Sequence, residues 1–408
     1  MKSHWLDRSR LLVYPGAAAL IFVCWVAYAF LGSTGGMDPA GNPLGYDFVQ
    51  FWSVSKIGLH DPAVLAYHGP HLLAVEKAVA PALNGVLPWR YPPMFYLVVL
   101  PFSLIPLQVG WIIFSLGTLG LYGWVFWRAV DAARPEVPQI PMPRVLLVLA
   151  AFGPLWFNLL NGQTGFLTAA LAAGALLCLE RRPVLAGVLI GLLCIKPHLA
   201  VLFPLCLIAI GAWRTFLWAA VTVVVFTLLS AMVLGADTLV AFLQGLREAS
   251  QLLDAGQAPL AKMPSVFVSL RLLHVPLATA YAVHGAVALL ATGVVWRVWR
   301  RCRDARLRNA ALMAGSFFIS PYVFDYDMVW LAFPVAWLCL YCIETGWRRF
   351  ERELLVLFWA DTLLIAVVAK HMVTHTVPLA LGLLLWMIYR RATEKSPLPS
   401  LTSEDHCS

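Results

Sequence analysis

Residues 11–31 read LLVYPGAAALIFVCWVAYAFL, a run that contains no charged side chain. An α-helix needs about 20 predominantly apolar residues to cross the hydrocarbon core of a bilayer, so this run is long enough. Lys2, Arg8 and Arg10 precede it, and Ala27-Tyr28-Ala29 near its end resembles a signal-peptidase site. The length of the run favours a retained membrane-spanning helix over a cleaved signal peptide.

Apolar runs of similar length recur along the chain as far as Tyr389. Of the 408 residues, 61% are hydrophobic and 12% are charged, whereas soluble domains carry about 25% charged residues. The runs leave no room for a separate soluble module. The composition therefore predicts an all-α polytopic membrane protein, with a single transmembrane domain at 1–395 and a short cytoplasmic tail at 396–408.

The net charge of +8 does not indicate a nucleic-acid partner, because the basic residues form short clusters between the apolar runs. By the positive-inside rule these clusters face the cytoplasm. Alternating them with the remaining loops predicts about twelve crossings and two cytoplasmic termini. The predicted crossings are 11–31, 107–127, 145–160, 166–180, 183–196, 198–212, 215–235, 277–296, 309–324, 328–343, 354–372 and 375–390.

Three apolar stretches are short for full crossings. The stretch 92–106 is predicted to be re-entrant or a broken start to the next helix. For 183–196 and 198–212, the alternative is a helical hairpin that enters the membrane only partway.

The outward-facing segments hold most of the polar residues, and the longest is the loop 32–91. After Gly45, one helical face of this loop carries apolar and small side chains, as in an interfacial helix: Phe48, Phe51, Trp52 and Ser55. A second helix is expected after Asp61-Pro62, an order that suits an N-cap followed by proline in the first turn. The loop is therefore predicted to be folded onto the membrane surface.

Asp47 is the first candidate for chemistry. A carboxylate in a loop that packs against the membrane is held at moderate dielectric and can serve as a general base. The alternative is an N-cap for the helix that follows, and the two roles are compatible.

Three outward turns carry the other candidates. Lys196-Pro197-His198 contains an ionisable group near membrane depth, which favours phosphate binding over a structural ion pair. Asn161-Gly162-Gln163 also fits ordinary turn and capping residues. Asp325-Tyr326-Asp327 has the D-x-D pattern of metal-bound nucleotide-sugar sites, but substrate positioning or helix termination is favoured over metal ligation. No metal and no cofactor are predicted.

Several common motifs are missing from the sequence. It contains no G-x-x-x-x-G-K-[ST], no H-E-x-x-H and no G-x-S-x-G. Nucleotide-driven transport and the common hydrolases therefore lose support. The energy for any chemistry must arrive with an activated substrate.

The order of several short motifs resembles glycosyltransferase family 87, between about residues 10 and 390. They are Asp47-Phe48 with Trp52 and Gly58, Tyr91-Pro92-Pro93 with Pro101 and Pro106, Asn161-Gly162-Gln163, Lys196-Pro197, Ser320-Pro321-Tyr322 and Tyr326-Asp327. That family belongs to the GT-C superfamily and includes polyprenol-phosphate-mannose-dependent mannosyltransferases. The resemblance implies a GT-C-like helical bundle that transfers a sugar from a lipid phosphate carrier, with inversion, at the outer face of a cell membrane, such as the bacterial inner membrane.

The resemblance also implies roles for individual residues. Asp47 matches the aspartate that acts as general base, and Lys196 and Arg90 would pair with the donor phosphate. Substrate-side residues would be Asn161, Gln163, His198, Asp325, Tyr326 and Asp327. Many relatives carry a His-His pair where this chain has Tyr326-Asp327, which is a departure on the acceptor side.

The implied partners are a polyprenyl-phosphate sugar, a lipid or glycan acceptor, and membrane lipids. A transporter or flippase for lipid-linked saccharides is the alternative, in which Lys196 and the broken helices would line a pathway. A transporter needs polar residues near the bilayer midplane, whereas the polar residues here gather at one face. The sequence therefore favours the enzyme.

Overall fold

The computed structural model describes residues 5, 9–34, 37–39, 41, 44–83, 85–134, 141–371 and 374–394, with the backbone alone over 363–371. Within these ranges the secondary structure is helical, apart from one isolated bridge between Thr34 and Met37. The all-α prediction is confirmed for this part of the chain.

The α-helices, in chain order, are Arg10–Leu31 (α1), Tyr46–His60 (α2), Gly69–Val79 (α3), Pro93–Val99 (α4), Leu107–Ala133 (α5), Met142–Ala150 (α6), Gly153–Asn161 (α7), Gly165–Cys178 (α8), Pro183–Leu192 (α9), Leu202–Ile210 (α10), Trp213–Leu234 (α11), Asp237–Asp254 (α12), Val266–Leu272 (α13), Leu277–Arg301 (α14), Ala305–Gly315 (α15), Ala332–Thr345 (α16), Glu351–His371 (α17) and Val377–Thr393 (α18). Short 3-10 helices lie at Ala63–Tyr67, Leu100–Leu104, Leu193–Ile195, Pro197–Leu199, Leu260–Lys262, Ser316–Phe318 and Asp325–Leu331.

Five helical segments in the described ranges are long and apolar enough to cross a membrane: α1, α5, α11, α14 and Asp325–Thr345. A sixth results if the bent pair α6 and α7 is one span. Apolar side chains such as Val224, Leu228 and Met232 on α11 are exposed, which suits contact with lipid. The count of about twelve crossings stays a prediction.

The predicted single crossing at 145–160 is instead two helices at 61° to each other. Pro154 lies in the first turn of α7, where its missing N–H is tolerated, whereas inside a continuous helix it would remove a backbone hydrogen bond. The short stretch 92–106 is also separate from the helix that follows it. It forms α4 and a 3-10 turn, and Pro106 directly precedes α5.

Helix α2 differs from the predicted interfacial helix. Its predicted apolar face is buried, but Val49, Ser53 and Val54 on its other sides are also buried. The helix is therefore enclosed by protein rather than resting on a surface by one face. Other elements bond to it directly, since Tyr96 Oη donates to the Val54 carbonyl at 2.8 Å and Trp52 Nε1 donates to the Ile105 carbonyl at 2.9 Å.

The helix expected after Asp61-Pro62 is a 3-10 turn, and α3 begins only at Gly69. The residue that precedes the 3-10 turn is Pro62, so Asp61 does not cap it.

Long-range hydrogen bonds hold Asp325–Leu331 against α5 and α8. Tyr122 Oη donates to the Val329 carbonyl at 2.8 Å, and Trp330 Nε1 donates to Thr168 Oγ1 at 3.0 Å. Because buried polar groups need partners, these bonds fix the depth and rotation of the segment. They bring its first residues to the turn between α7 and α8.

Candidate active site

The first turn of α2 carries Asp47, and Gly45 is the residue that precedes the helix. Gly45 has a φ of 68°, a left-handed conformation that glycine adopts readily. Asp47 therefore lies inside the helix, and its predicted N-cap role is wrong. A carboxylate in the first helical turn is favoured by the positive end of the helix dipole. Asp47 remains partly exposed.

Gln163 holds the Asp47 carboxylate. Its Oε1 accepts hydrogen bonds from Tyr91 Oη at 2.7 Å and from the Thr164 amide at 3.0 Å. Two donors on Oε1 leave only one orientation for the side-chain amide. Its Nε2 then donates to Asp47 Oδ2 at 3.0 Å. Asp47 is thus required to be a hydrogen-bond acceptor at this position.

Two glycines allow α2 and the α7–α8 turn to approach. Gly162 has a φ of 67°, and a Cβ there would lie 2.7 Å from Trp111 and 2.8 Å from Phe48. A Cβ on Gly45 would lie 2.8 Å from the same Trp111 ring. Both positions thus require glycine, for conformation and for space. The Trp111 ring is the spacer that sets the distance between Asp47 and Gln163.

Lys196 lies between two 3-10 turns and is 5% exposed. Its Nζ donates to Asp327 Oδ1 at 2.6 Å. The ammonium is also 4.8 Å from the centroid of the Tyr326 ring and 5.9 Å from that of Tyr91. The sequence left open a phosphate ligand or a structural ion pair, and the ion pair is present.

The Asp325–Asp327 segment begins a 3-10 helix. Asp325 Oδ1 accepts from the Tyr326 amide at 2.8 Å, and Asp327 Oδ2 accepts from the Phe324 amide at 3.4 Å. The Tyr326 ring stacks on Phe324 with centroids 5.1 Å apart. Both carboxylates therefore organise their own turn. Among the described residues, no three His, Cys, Asp or Glu side chains converge in a group that could hold a metal ion.

A family model for glycosyltransferase family 87 matches residues 89–321, more than half of the chain. This chain belongs to glycosyltransferase family 87. Tyr91, Gln163 and Lys196 lie within the matched region, while Asp47 and Asp327 flank it on either side. No curated protein and no solved structure matches the chain.

In a family 87 transferase, the basicity of Asp47 decides whether this carboxylate can accept a proton. Burial raises the pKa of this carboxyl above its usual value. The positive charges of Lys262 and Lys196 and the hydrogen bond from Gln163 lower the pKa and offset part of this effect. A carboxylate with a raised pKa is a stronger base, yet the two lysines favour its ionised form at neutral pH.

The remaining predicted residues lie apart from the Asp47 hydrogen bonds. Arg90 Nη1 donates to the Gly245 carbonyl of α12 at 3.3 Å, and Tyr322 and Glu248 are its charged or titratable neighbours. Asn161 Nδ2 donates to the Phe157 carbonyl at 2.7 Å within α7. These contacts are within the protein, so the substrate roles of Arg90 and Asn161 stay predictions. His198 is half-buried, and its predicted role is likewise untested.

Two residues close to Asp47 or its hydrogen-bond partner were absent from the sequence-based set. Tyr91 was noted in the Tyr91-Pro92-Pro93 motif, but only the structure links its hydroxyl to Gln163. Lys262 follows Leu260 in a 3-10 turn, and its Nζ lies 5.2 Å from the ring centroid of Tyr46, the residue before Asp47. In the sequence, Lys262 could have been recognised as a basic residue in a segment predicted to face outward.

Proposed function

We propose that this family 87 glycosyltransferase transfers mannose from a polyprenyl-phosphate donor to a lipid or glycan acceptor. The transfer inverts the anomeric carbon and takes place at the outer face of a membrane. The observation that carries the proposal is the Asp47 carboxylate, which is partly exposed, bonded to Gln163 and flanked by positive charge. A general base requires this combination of access, orientation and a tuned pKa.

The transfer is a single displacement. Asp47 takes the proton of an acceptor hydroxyl as its oxygen attacks the anomeric carbon from the face opposite the phosphate. The glycosidic carbon–oxygen bond to the phosphate breaks, and its electron pair leaves with the phosphate oxygen. The products are the glycosylated acceptor, polyprenyl phosphate and a protonated Asp47, which then loses its proton to water.

Lys196 is assigned to the donor phosphate. Its ammonium has three N–H donors, of which one goes to Asp327. The ion pair fixes the position of the nitrogen. The other two donors have no hydrogen-bond partner in the described part of the chain, so they can meet phosphate oxygens as charge develops on them. Support also comes from Tyr91 and Tyr326, whose rings flank the ammonium and confine its direction.

Tyr326 and Asp325 form the wall on the acceptor side in this proposal. The buried Asp327 holds their turn against Lys196. An aromatic ring beside a carboxylate is a common surface for a sugar, because the ring packs on C–H groups and the carboxylate accepts from hydroxyls. Asp325 is 7% exposed, so it retains a small accessible area.

The proposal is tested with purified protein in lipid nanodiscs and radiolabelled donors. Polyprenyl-phosphate mannose, polyprenyl-phosphate glucose and a nucleotide-linked mannose are each offered with an extract of membrane lipids. We expect label in a new glycolipid only with a polyprenyl-phosphate sugar, and most with mannose. Transfer from the nucleotide sugar would contradict the donor class. Translocation of labelled lipid in vesicles without a new glycosidic bond would favour the transporter instead.

A further inference from the structure

We propose that Lys262 is a further cation of the donor site, in addition to Lys196, and binds the phosphate of the polyprenyl-phosphate sugar. The inference rests on the proposed function, because it assigns a ligand to the same site. It concerns a residue outside the set that the sequence pattern singled out.

Lys262 differs from Lys196 in exposure. Its side chain is exposed and lies over the ring of Tyr46, with Nζ 5.2 Å from the ring centroid. Among the described residues it forms no ion pair. Tyr46 is the residue before Asp47, so the ammonium lies next to the first turn of the helix that carries the proposed base, and its charge lowers the pKa of Asp47. A donor phosphate at the membrane surface can reach it without displacing a protein partner.

A further cation at the donor site would stabilise the charge that develops during the reaction. The donor phosphodiester carries one negative charge, and the departing phosphate gains a second as the glycosidic bond breaks. The charge of Lys196 is balanced by Asp327, at 2.6 Å, so that pair contributes no net positive charge. Lys262 forms no ion pair among the described residues, so its positive charge is available to stabilise the charge that develops on the leaving phosphate.

The turn that carries Lys262 is anchored on both sides. His375 Nε2 is hydrogen-bonded to the Leu260 carbonyl at 2.9 Å, and the Lys262 amide donates to the Pro259 carbonyl at 2.9 Å. Met263, the next residue, is 1% exposed. The backbone beneath the ammonium is therefore fixed, and only the side chain has to move to meet a phosphate.

The test compares the affinity of the full-length protein in nanodiscs for polyprenyl phosphate and for the uncharged polyprenol. The variants are Lys262→Met, Lys262→Arg and the matched control Lys56→Met. Lys56 is also exposed and lies over an aromatic ring of α2, with Nζ 5.4 Å from the centroid of Trp52. Its ring belongs to a later turn of the same helix.

We expect Lys262→Met to reduce the preference for polyprenyl phosphate by about tenfold or more, the loss of one charge-assisted hydrogen bond. Lys262→Arg should retain most of the preference, and Lys56→Met all of it. An unchanged preference for polyprenyl phosphate in Lys262→Met would overturn the inference about Lys262. Sugar transfer by the wild-type protein would still uphold the proposed function. A wild type that transfers no sugar would contradict the proposed function, and the phosphate preference would still decide the role of Lys262.

Discussion

Gln163 Nε2 lies 3.0 Å from Asp47 Oδ2 and joins the α7–α8 turn to α2, across 116 positions of the chain. The bond is part of a short series, in which the Tyr91 hydroxyl donates to Gln163 and Gln163 donates to Asp47. Each donor fixes the orientation of the next group. The carboxylate is thereby held with one oxygen engaged, and Asp47 stays partly exposed.

Asp47→Asn should reduce turnover by about a hundredfold or more, because the amide cannot take a proton from the acceptor. The asparagine Oδ1 still accepts from Gln163, so folding and donor binding should be retained. Thermal stability should stay equal or rise, since burial disfavours the charged carboxylate. Initial rates and melting temperatures are measured on the same preparations. Near-normal turnover in this variant would reject Asp47 as the base.

Gln163→Leu removes the donor to Asp47 and the acceptor of Tyr91 without adding charge. We expect kcat to fall by roughly tenfold with little change in donor KM, because Gln163 positions the base rather than binding the carrier. The pKa of Asp47 should also rise, since the lost hydrogen bond lowered it. The pH profile distinguishes this role from a merely structural one. An unshifted acid limb would contradict the positioning role.

Lys196→Met should destabilise the protein by about 3–5 kcal/mol, because it leaves Asp327 buried without its partner. The double variant Lys196→Met, Asp327→Asn removes both charges and should regain most of the stability. Its donor affinity and turnover should stay low, because the donors to the phosphate are still absent. Lys196→Arg should keep part of the activity. A double variant with normal turnover would make Lys196 a structural anchor only.

The rate should fall on acidification as Asp47 gains a proton. Because the pKa of Asp47 is raised, the loss begins above the range of an ordinary aspartate. The charged groups that face it are Lys262, Lys196 and Asp325, and the two lysines lower its pKa. Lys262→Met should therefore move the acid limb of kcat/KM to higher pH. Lys56→Met should leave the limb in place, and an equal shift in both variants would rule out a local effect.

The membrane character, the helical class and the family follow from the sequence. Apolar runs such as 11–31 are long enough to cross a bilayer, and no tertiary contact is required to infer this. Asp47, Gln163 and Lys196 were also chosen as candidates from the sequence, since short polar motifs between apolar runs are few. The break in 145–160 was missed, although Gly153-Pro154 is its local cause, because hydrophobicity alone does not register a bend of 61°.

Only the tertiary structure decided which polar groups are partners. Sequence spacing cannot show that Lys196 is paired with Asp327 across 131 positions, or that Gln163 reaches Asp47, because such pairings depend on how separate helices pack. It likewise could not show that α2 is enclosed rather than interfacial. Burial on several sides comes from neighbouring elements, whereas a sequence pattern reports only the preferences of one helix. Local apolar length thus determined the class of the protein, and long-range packing determined its site.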